Sequence, residues 1–286
     1  MTVLFRKMVI IGVGLIGGSL GLAGKARGLC DEVVGVGRNR ANLEKAMEVG
    51  AVDRILRNHE EACVGADLVM LATPVEGILS IGQEIAPRLA PGAILTDAGS
   101  VKEALVAPLE AAVAPGAFFV GGHPIAGSEA SGAAAARADL FEGARTILTP
   151  TGLSESGAVS RVRSLWEGVG SQVIEMDVAE HDRVLAAVSH LPHVAAYALT
   201  RTLLGMEATR PDIASYAAGG FKDITRIASS HPDIWRDICK MNKKNIVDMI
   251  ESYEHALEQI KFQIQRNDFG KLSQTFQEAR TFRKRL

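Results

Sequence analysis

The sequence predicts an α/β chain in two parts: an N-terminal, Rossmann-type doubly wound sheet over residues 1–176 and an all-α domain over residues 177–286. Three observations carry that reading. Short apolar runs alternate with helical stretches through the first half, the rhythm of a parallel sheet covered on both faces. A glycine-spaced turn follows the first apolar run. Strand signals stop near Asp177, and helical periodicity takes over from there. A chain of 286 residues is long enough for two cores of ordinary size.

Met8–Ile11 is the first apolar run and reads as a strand buried on both faces. Gly12, Gly14 and Gly17 then spell GxGxxG, and an apolar helical pattern continues to Lys25. Gly12 permits the tight turn, Gly14 lets a pyrophosphate approach the main chain, and Gly17 lets helix and strand pack closely. Leu15 and Ile16 open the helix, whose unpaired N–H groups and positive end suit phosphate. Strand, glycine turn and helix in that order point to a dinucleotide, NAD or NADP.

The next strand, EVVGVGR, ends at Gly37, Arg38, Asn39 and Arg40. It offers no carboxylate to hold a ribose 2′-hydroxyl. Two guanidinium groups suit a 2′-phosphate, which leans the reading toward NADP; Arg38 stacked on the adenine would leave NAD usable. Further strands are expected at residues 67–74, 93–100 and 118–124, and within TILTP and SQVIEM. Ligands lie beyond the carboxyl ends of such strands, so Thr73, Pro74, residues 97–102 and His123 are expected on one rim facing the cofactor.

The second half reads as helices. Pro192 marks a kink or break in the stretch that begins at VAEHD, and AAGGFKDITRIASSHP carries Lys222, Asp223 and Arg226. From Asp233 the chain runs more than thirty residues without Gly or Pro, with Ile234, Ile238, Met241, Ile246, Met249, Tyr253, Leu257, Ile260 and Ile264 spaced mostly by three and four. One long helix with a continuous apolar stripe is expected, packed against a second subunit as well as its own domain.

Bulk composition excludes other classes. The formal net charge of −2 gives no global attraction for nucleic acid or an anionic membrane, and the basic C-terminal ARTFRKRL reads as a solvated helix end. Cys30, Cys63 and Cys239 form no CxxC pair, so neither a disulfide framework nor a thiolate metal site is indicated, and a reducing cytoplasm is expected. The uncharged run Met8–Gly24 holds six glycines and lacks a following cleavage site, so it reads as the nucleotide turn rather than a leader.

Of seven histidines, His59, His231 and His255 have polar neighbours and read as surface residues. His123, His181, His190 and His193 differ in context. His190 and His193 could hold a metal with His123, but no carboxylate ligand stands at an obvious spacing, and no metal is expected. Proton chemistry suits these residues better. Removing a hydride from an alcohol carbon needs a base for the hydroxyl proton, and neutral imidazole serves near pH 7. His123, in the small-residue loop VGGHPIAGSEASG with Ser128 and Glu129 and near Ser100, is the expected base. Lys222, Arg226 and the Ser189/His193 face supply groups for an anion, the arginine able to grip a carboxylate with two parallel hydrogen bonds. Asp223, three residues earlier, could instead pair Arg226 along a helix.

In this order, GVGLIGGS, DAGSVK, GGHPIAGSEASG, SHLPH and GGFKDITRIA resemble the prephenate/arogenate dehydrogenase family of tyrosine biosynthesis, over nearly the whole chain. The resemblance implies a Rossmann domain followed by a helical dimerisation domain. It also implies NAD(P)-dependent oxidative decarboxylation of prephenate to 4-hydroxyphenylpyruvate, or of arogenate to tyrosine. By motif, His123 would accept the proton of the ring hydroxyl and Ser100 would orient it. Arg226 would bind a substrate carboxylate, His193 and Ser189 would line the pocket, Ser128 and Glu129 would stand at its mouth, and Lys222 would shape the opposite wall. No residues are left over for a regulatory or fused mutase domain, so tyrosine inhibition is expected to be competition at the active site. Two other readings of the same plan are a β-hydroxyacid dehydrogenase with Lys222 as its catalytic lysine and a non-catalytic NAD(P)-sensing dimer.

Overall fold

The computed structural model describes residues 3–128 and 130–285. Nine strands are present among them: β1 (Phe5–Ile11), β2 (Cys30–Val36), β3 (Arg54–Leu56), β4 (Leu68–Leu71), β5 (Ile94–Asp97), β6 (Phe118–Val120), β7 (Gly122–Ile125), β8 (Arg145–Leu148) and β9 (Gln172–Glu175). The helices are α1 (Leu15–Ala26), α2 (Arg40–Glu48), α3 (His59–Cys63), α4 (Val75–Ile85), α5 (Val106–Ala112), α6 (Ser156–Gly168), α7 (Val178–Leu185), α8 (Leu191–Met206), α9 (Gly219–Thr225), α10 (Pro232–Met241), α11 (Lys243–Gln265) and α12 (Phe269–Arg283).

Strands β1–β6 form one parallel sheet in the order β3-β2-β1-β4-β5-β6, the doubly wound arrangement in which strand order reverses between β1 and β4. Met8–Ile11 and Leu68–Leu71 are fully buried, as a strand covered on both faces requires. The caps are local and legible: Asn39 Oδ1 accepts from Asn42 N at the start of α2, and Asp177 Oδ1 accepts from Ala179 N and Glu180 N at the start of α7.

A second sheet, β7-β8-β9, pairs β7 antiparallel to β8 and β8 parallel to β9. The single strand expected at 118–124 is therefore two, in different sheets. The reason is the Gly121–Gly122 pair between their ends. A Cβ on Gly121 would stand 2.5 Å from Thr149 Oγ1, and one on Gly122 2.9 Å from the Asp97 carbonyl. Only a chain without side chains there steps across from β6 to β7.

Two compact units are apparent, one ending at Asn242 and one beginning at Lys243. The long helix expected from Asp233 is broken at that point of the chain. Asn242 leaves helical geometry (φ −109°, ψ 34°), and its buried amide donates to the Asp182 carbonyl at 2.8 Å. Apolar periodicity could not register a polar side chain that finds a better partner off the helix. In the second unit α11 and α12 form a hairpin, joined by a Gln263–Thr275 hydrogen bond of 3.2 Å, and expose Phe262, Phe269, Phe276 and Phe282.

Candidate active site

At the carboxyl ends of β1, β2 and β4 lies a cavity of about 320 Å³, lined by Gly12, Gly14, Gly37, Arg38, Asn39, Asn42, His59, Thr73 and Pro74 among others. Its floor is the glycine turn. Gly12 has φ +99°, and a Cβ there would lie 2.6 Å from the Ala72 carbonyl carbon. A Cβ on Gly17 would lie 2.3 Å from the Gly12 carbonyl oxygen. Gly14, by contrast, faces open space and caps α1 without any side chain, and no acidic residue occupies the first turn. That combination of tight packing behind and open main chain in front fits a pyrophosphate. Leu15 and Ile16 turn their side chains to the core and bring only their main chain to the helix start.

Arg38 is exposed and lines the cavity, whereas Arg40 is engaged by Glu44 at 2.7 Å. One of the two expected guanidinium groups is thus already paired. His59, expected on the surface, is half-buried and borders the cavity. Its expected placement rested on polar sequence neighbours, which do not report that α3 begins beside the strand ends. Asn42 bridges two segments: its Nδ2 donates to the Val13 carbonyl, and its Oδ1 accepts from Ala133 N.

His123 sits on β7, opposite Ile147, almost fully buried. Its Nδ1 lies 2.9 Å from His181 Nε2, and His181 Nδ1 lies 2.7 Å from Asp182 Oδ1. Asp182 also accepts from the main-chain nitrogens of Lys102 (2.7 Å) and Glu103 (3.0 Å). These contacts fix the tautomers. The carboxylate can only accept, so His181 carries its proton on Nδ1 and presents a lone pair at Nε2. His123 must then donate from Nδ1, which leaves its Nε2 unprotonated. Burial holds His123 well below the ordinary histidine value of 6.5, with His181, Lys102 and His190 pushing the same way. Burial also lowers His181, against the pull of the Asp182 hydrogen bond. The result is a neutral imidazole with a free lone pair.

Ser100 lies on the loop after β5. Asp97 ties that loop to His123's strand: its Oδ2 accepts from Gly99 N (2.8 Å) and its Oδ1 from Gly122 N (3.1 Å). Lys102 Nζ pairs with Asp97, both side chains wholly buried.

Between α7 and α8 the chain makes a π turn, Ala186–His190, and Pro192 lies in the first turn of α8. This turn presents Ser189, His190 and His193. His193 Nδ1 donates to the Ser189 carbonyl at 2.9 Å, and its ring stacks on Trp235 at 3.7 Å. His190 is buried: its Nδ1 accepts from Asn242 at 3.2 Å, the Ser100 main chain lies beside its ring, and burial takes it down to about 4 against the upward pull of Asp182. Helix α10, which carries Trp235, is held to the start of α4 by Lys240–Glu76 at 2.5 Å.

Lys222 on α9 and Arg226 at the head of the following 3-10 turn are exposed, on segments packed against α8. The hydrogen-bonded chain His123–His181–Asp182 draws on neither segment. Ser128 is exposed on the loop after β7, its Oγ accepting from Ala130 N at 3.3 Å; Glu129 lies outside the described residues. Sequence reasoning set His181 apart without giving it a role, and missed Asp182 and Trp235. The neighbouring pair His181-Asp182 was the available signal. No group of three potential metal ligands occurs among the described residues, and no described helix is long and apolar enough to cross a membrane.

The fold and the cavity define a dinucleotide-binding protein of the Rossmann class with a histidine-centred site close to its strand ends. The family models agree. Residues 20–175 match the nucleotide-binding domain of prephenate dehydrogenase, and residues 177–278 match its dimerization domain. The chain is 35% identical to prephenate dehydrogenase of Bacillus subtilis (strain 168), covering 96% of this chain and 75% of that one. It is 34% identical to cyclohexadienyl dehydrogenase of Zymomonas mobilis, covering 98% and 95%. The crystal structure of prephenate dehydrogenase from A. aeolicus, in complex with hydroxyphenyl propionate and NAD+, superposes with a TM-score of 0.92 at 37% identity over 98% of each chain. This chain belongs to the prephenate dehydrogenase family.

Proposed function

We propose that this protein oxidatively decarboxylates prephenate or arogenate with a nicotinamide dinucleotide, and that His123 accepts the proton of the ring hydroxyl. The observation that carries the reading is the His123–His181–Asp182 chain, which leaves a lone pair on His123 Nε2. The cofactor, when bound, supplies the hydride acceptor, and Gly12, Gly14, Leu15, Ile16, Gly17, Arg38, Thr73 and Pro74 would hold it. His123 takes the proton as the hydroxyl-bearing carbon is oxidised, and Asp182 stabilises the resulting imidazolium through His181. The dienone so formed draws electrons from the bond to the ring carboxylate; CO2 leaves and the ring becomes aromatic.

Ser100, on the loop tied by Asp97 to the His123 strand, orients the hydroxyl. Arg226 binds a substrate carboxylate, His193 and Ser189 line the side-chain end, Ser128 and Glu129 stand at the mouth, and Lys222 closes the far wall. Residues 1–176 serve as the nucleotide-binding domain and residues 177–286 as the helical one. The exposed phenylalanines of α11 and α12 fit burial in a homodimer. Arg38, with no carboxylate beside it at the end of β2, favours NADP over NAD.

Steady-state assays of the purified protein with prephenate and arogenate, each with NAD and NADP, test the reading. Turnover with one pair settles substrate and cofactor together. Silence in all four, with cofactor still binding, overturns it.

A further inference from the structure

One side chain in the wall of the cofactor cavity reaches beyond it. Asn42 Nδ2 donates at 2.6 Å to the carbonyl of Val13, which stands between Gly12 and Gly14 in the dinucleotide turn. Its Oδ1 accepts at 2.8 Å from Ala133 N, on the chain that runs on from the His123 strand. One partner can only accept and the other only donate, so a single orientation of the amide serves both. The approach is close: Gly132 has φ +82°, and a Cβ there would lie 3.1 Å from Asn42 Oδ1.

The same stretch of chain is seated on α1 as well. Ser19 Oγ accepts from Arg137 N at 3.0 Å, and a Cβ on Gly18 would lie 2.9 Å from Ala136 Cβ. Ala133 and Ser19 are fully buried. Upstream, β8 holds β7 as far as Ile125, opposite Arg145. His123 is fixed by that pairing and does not depend on Asn42. Ser128 lies between the two anchors, so Asn42 bears on the mouth of the site rather than on the base.

We infer that Asn42 is a positioning residue that makes the loop at the substrate mouth answer to the bound cofactor. A dinucleotide packed on the Gly12–Gly14 main chain restricts Val13 and Asn42 together, and the amide passes that restriction to Ala133. Substrate then meets a mouth already held in place. This inference rests on Ser128 standing at that mouth, and adds what ties the loop to the cofactor.

The test is hydrogen–deuterium exchange of residues 130–137 in the full-length protein, with and without saturating NAD or NADP, beside steady-state kinetics. It compares wild type with Asn42→Leu and Asn42→Ala, which remove both hydrogen bonds. Ser19→Ala, which frees the same segment from α1 and leaves Asn42 in place, is the control. In wild type and Ser19→Ala, cofactor should slow the exchange by about threefold to tenfold, the worth of one ordinary hydrogen bond. In the Asn42 variants that slowing should vanish. Their KM for substrate, at saturating cofactor, should rise by a similar factor, with kcat changing less. Slowing that persists in whichever Asn42 variant folds, its absence in wild type, or its equal loss in Ser19→Ala overturns the inference. A loss confined to kcat overturns it too. If wild type turns over neither prephenate nor arogenate, the functional reading fails, and the exchange comparison still decides the role of Asn42.

Discussion

Around the Gly12–Gly17 turn the molecule offers main chain, kept bare by three glycines within six residues. Around His123 it works through side chains gathered from β7, the loop after β5, α7 and the π turn before α8. The first region is local, and its geometry is imposed by what a Cβ would strike. The second is assembled, each group depending on a partner far along the chain. Damage to a local site should cost binding or packing at one point, whereas damage to an assembled site should cost turnover from several distant positions.

The largest effect is expected at the base. His123→Asn should lower turnover by about 10²–10⁴-fold while leaving cofactor binding intact. Near-normal turnover with unchanged affinity would remove the base from its role. Asp182→Asn tests whether the assembly matters as much as its tip. An amide in place of the acceptor disturbs the His181 tautomer and two main-chain contacts, and kcat should fall by about 10²-fold with little change in cofactor affinity. A variant that loses cofactor affinity instead would show that the two regions are not separable.

Within the glycine turn, two substitutions should separate packing from binding. Gly17→Ala forces a methyl to 2.3 Å from the Gly12 carbonyl and should lower stability by about 1–3 kcal/mol in urea unfolding. Gly14→Ala meets nothing in the protein, so stability should hold while cofactor affinity drops roughly tenfold, as calorimetric titration would show. Equal losses of stability in both would contradict this division.

The last effect concerns pH and falls on stability rather than on turnover or affinity. His190 titrates at about 4 when folded and near 6.5 when unfolded, so between those values the unfolded chain binds the extra proton. Its contribution is harmless above pH 6.5, and stability is lost as pH falls toward 4, by up to about 3 kcal/mol. His190→Gln, which can still accept from Asn242, should flatten that part of the stability curve. An unchanged slope would place the acid sensitivity elsewhere.

The same contrast explains what could be read from residues alone. GxGxxG announces itself because the constraint is met by neighbours in sequence, and β1, β2, β4 and β5 followed from apolar runs, whereas the three-residue edge strand β3 (Arg54–Leu56), only partly buried, gave no such run. His123 could be picked out by its loop. Its tautomer could not, because His181 and Asp182 lie 58 and 59 residues away and meet it only in three dimensions. Trp235 was invisible for a similar reason: an aromatic in an apolar helix reads as core until a stacked His193 gives it a role. The break at Asn242 escaped periodicity because the partner that draws its side chain off the helix lies on α7.

The π turn at Ala186–His190 carries a consequence for how this site tolerates change in chain length. Such a turn holds one residue more than an α-helical turn. Removing one residue from it would restore regular helix and leave α8 nearly in phase with α7, because the extra residue is taken up within the wide turn itself. The faces of the two helices would hold, whereas the turn that presents Ser189 and His190 would close. A deletion in this short segment should therefore spare the fold and act first on those two side chains.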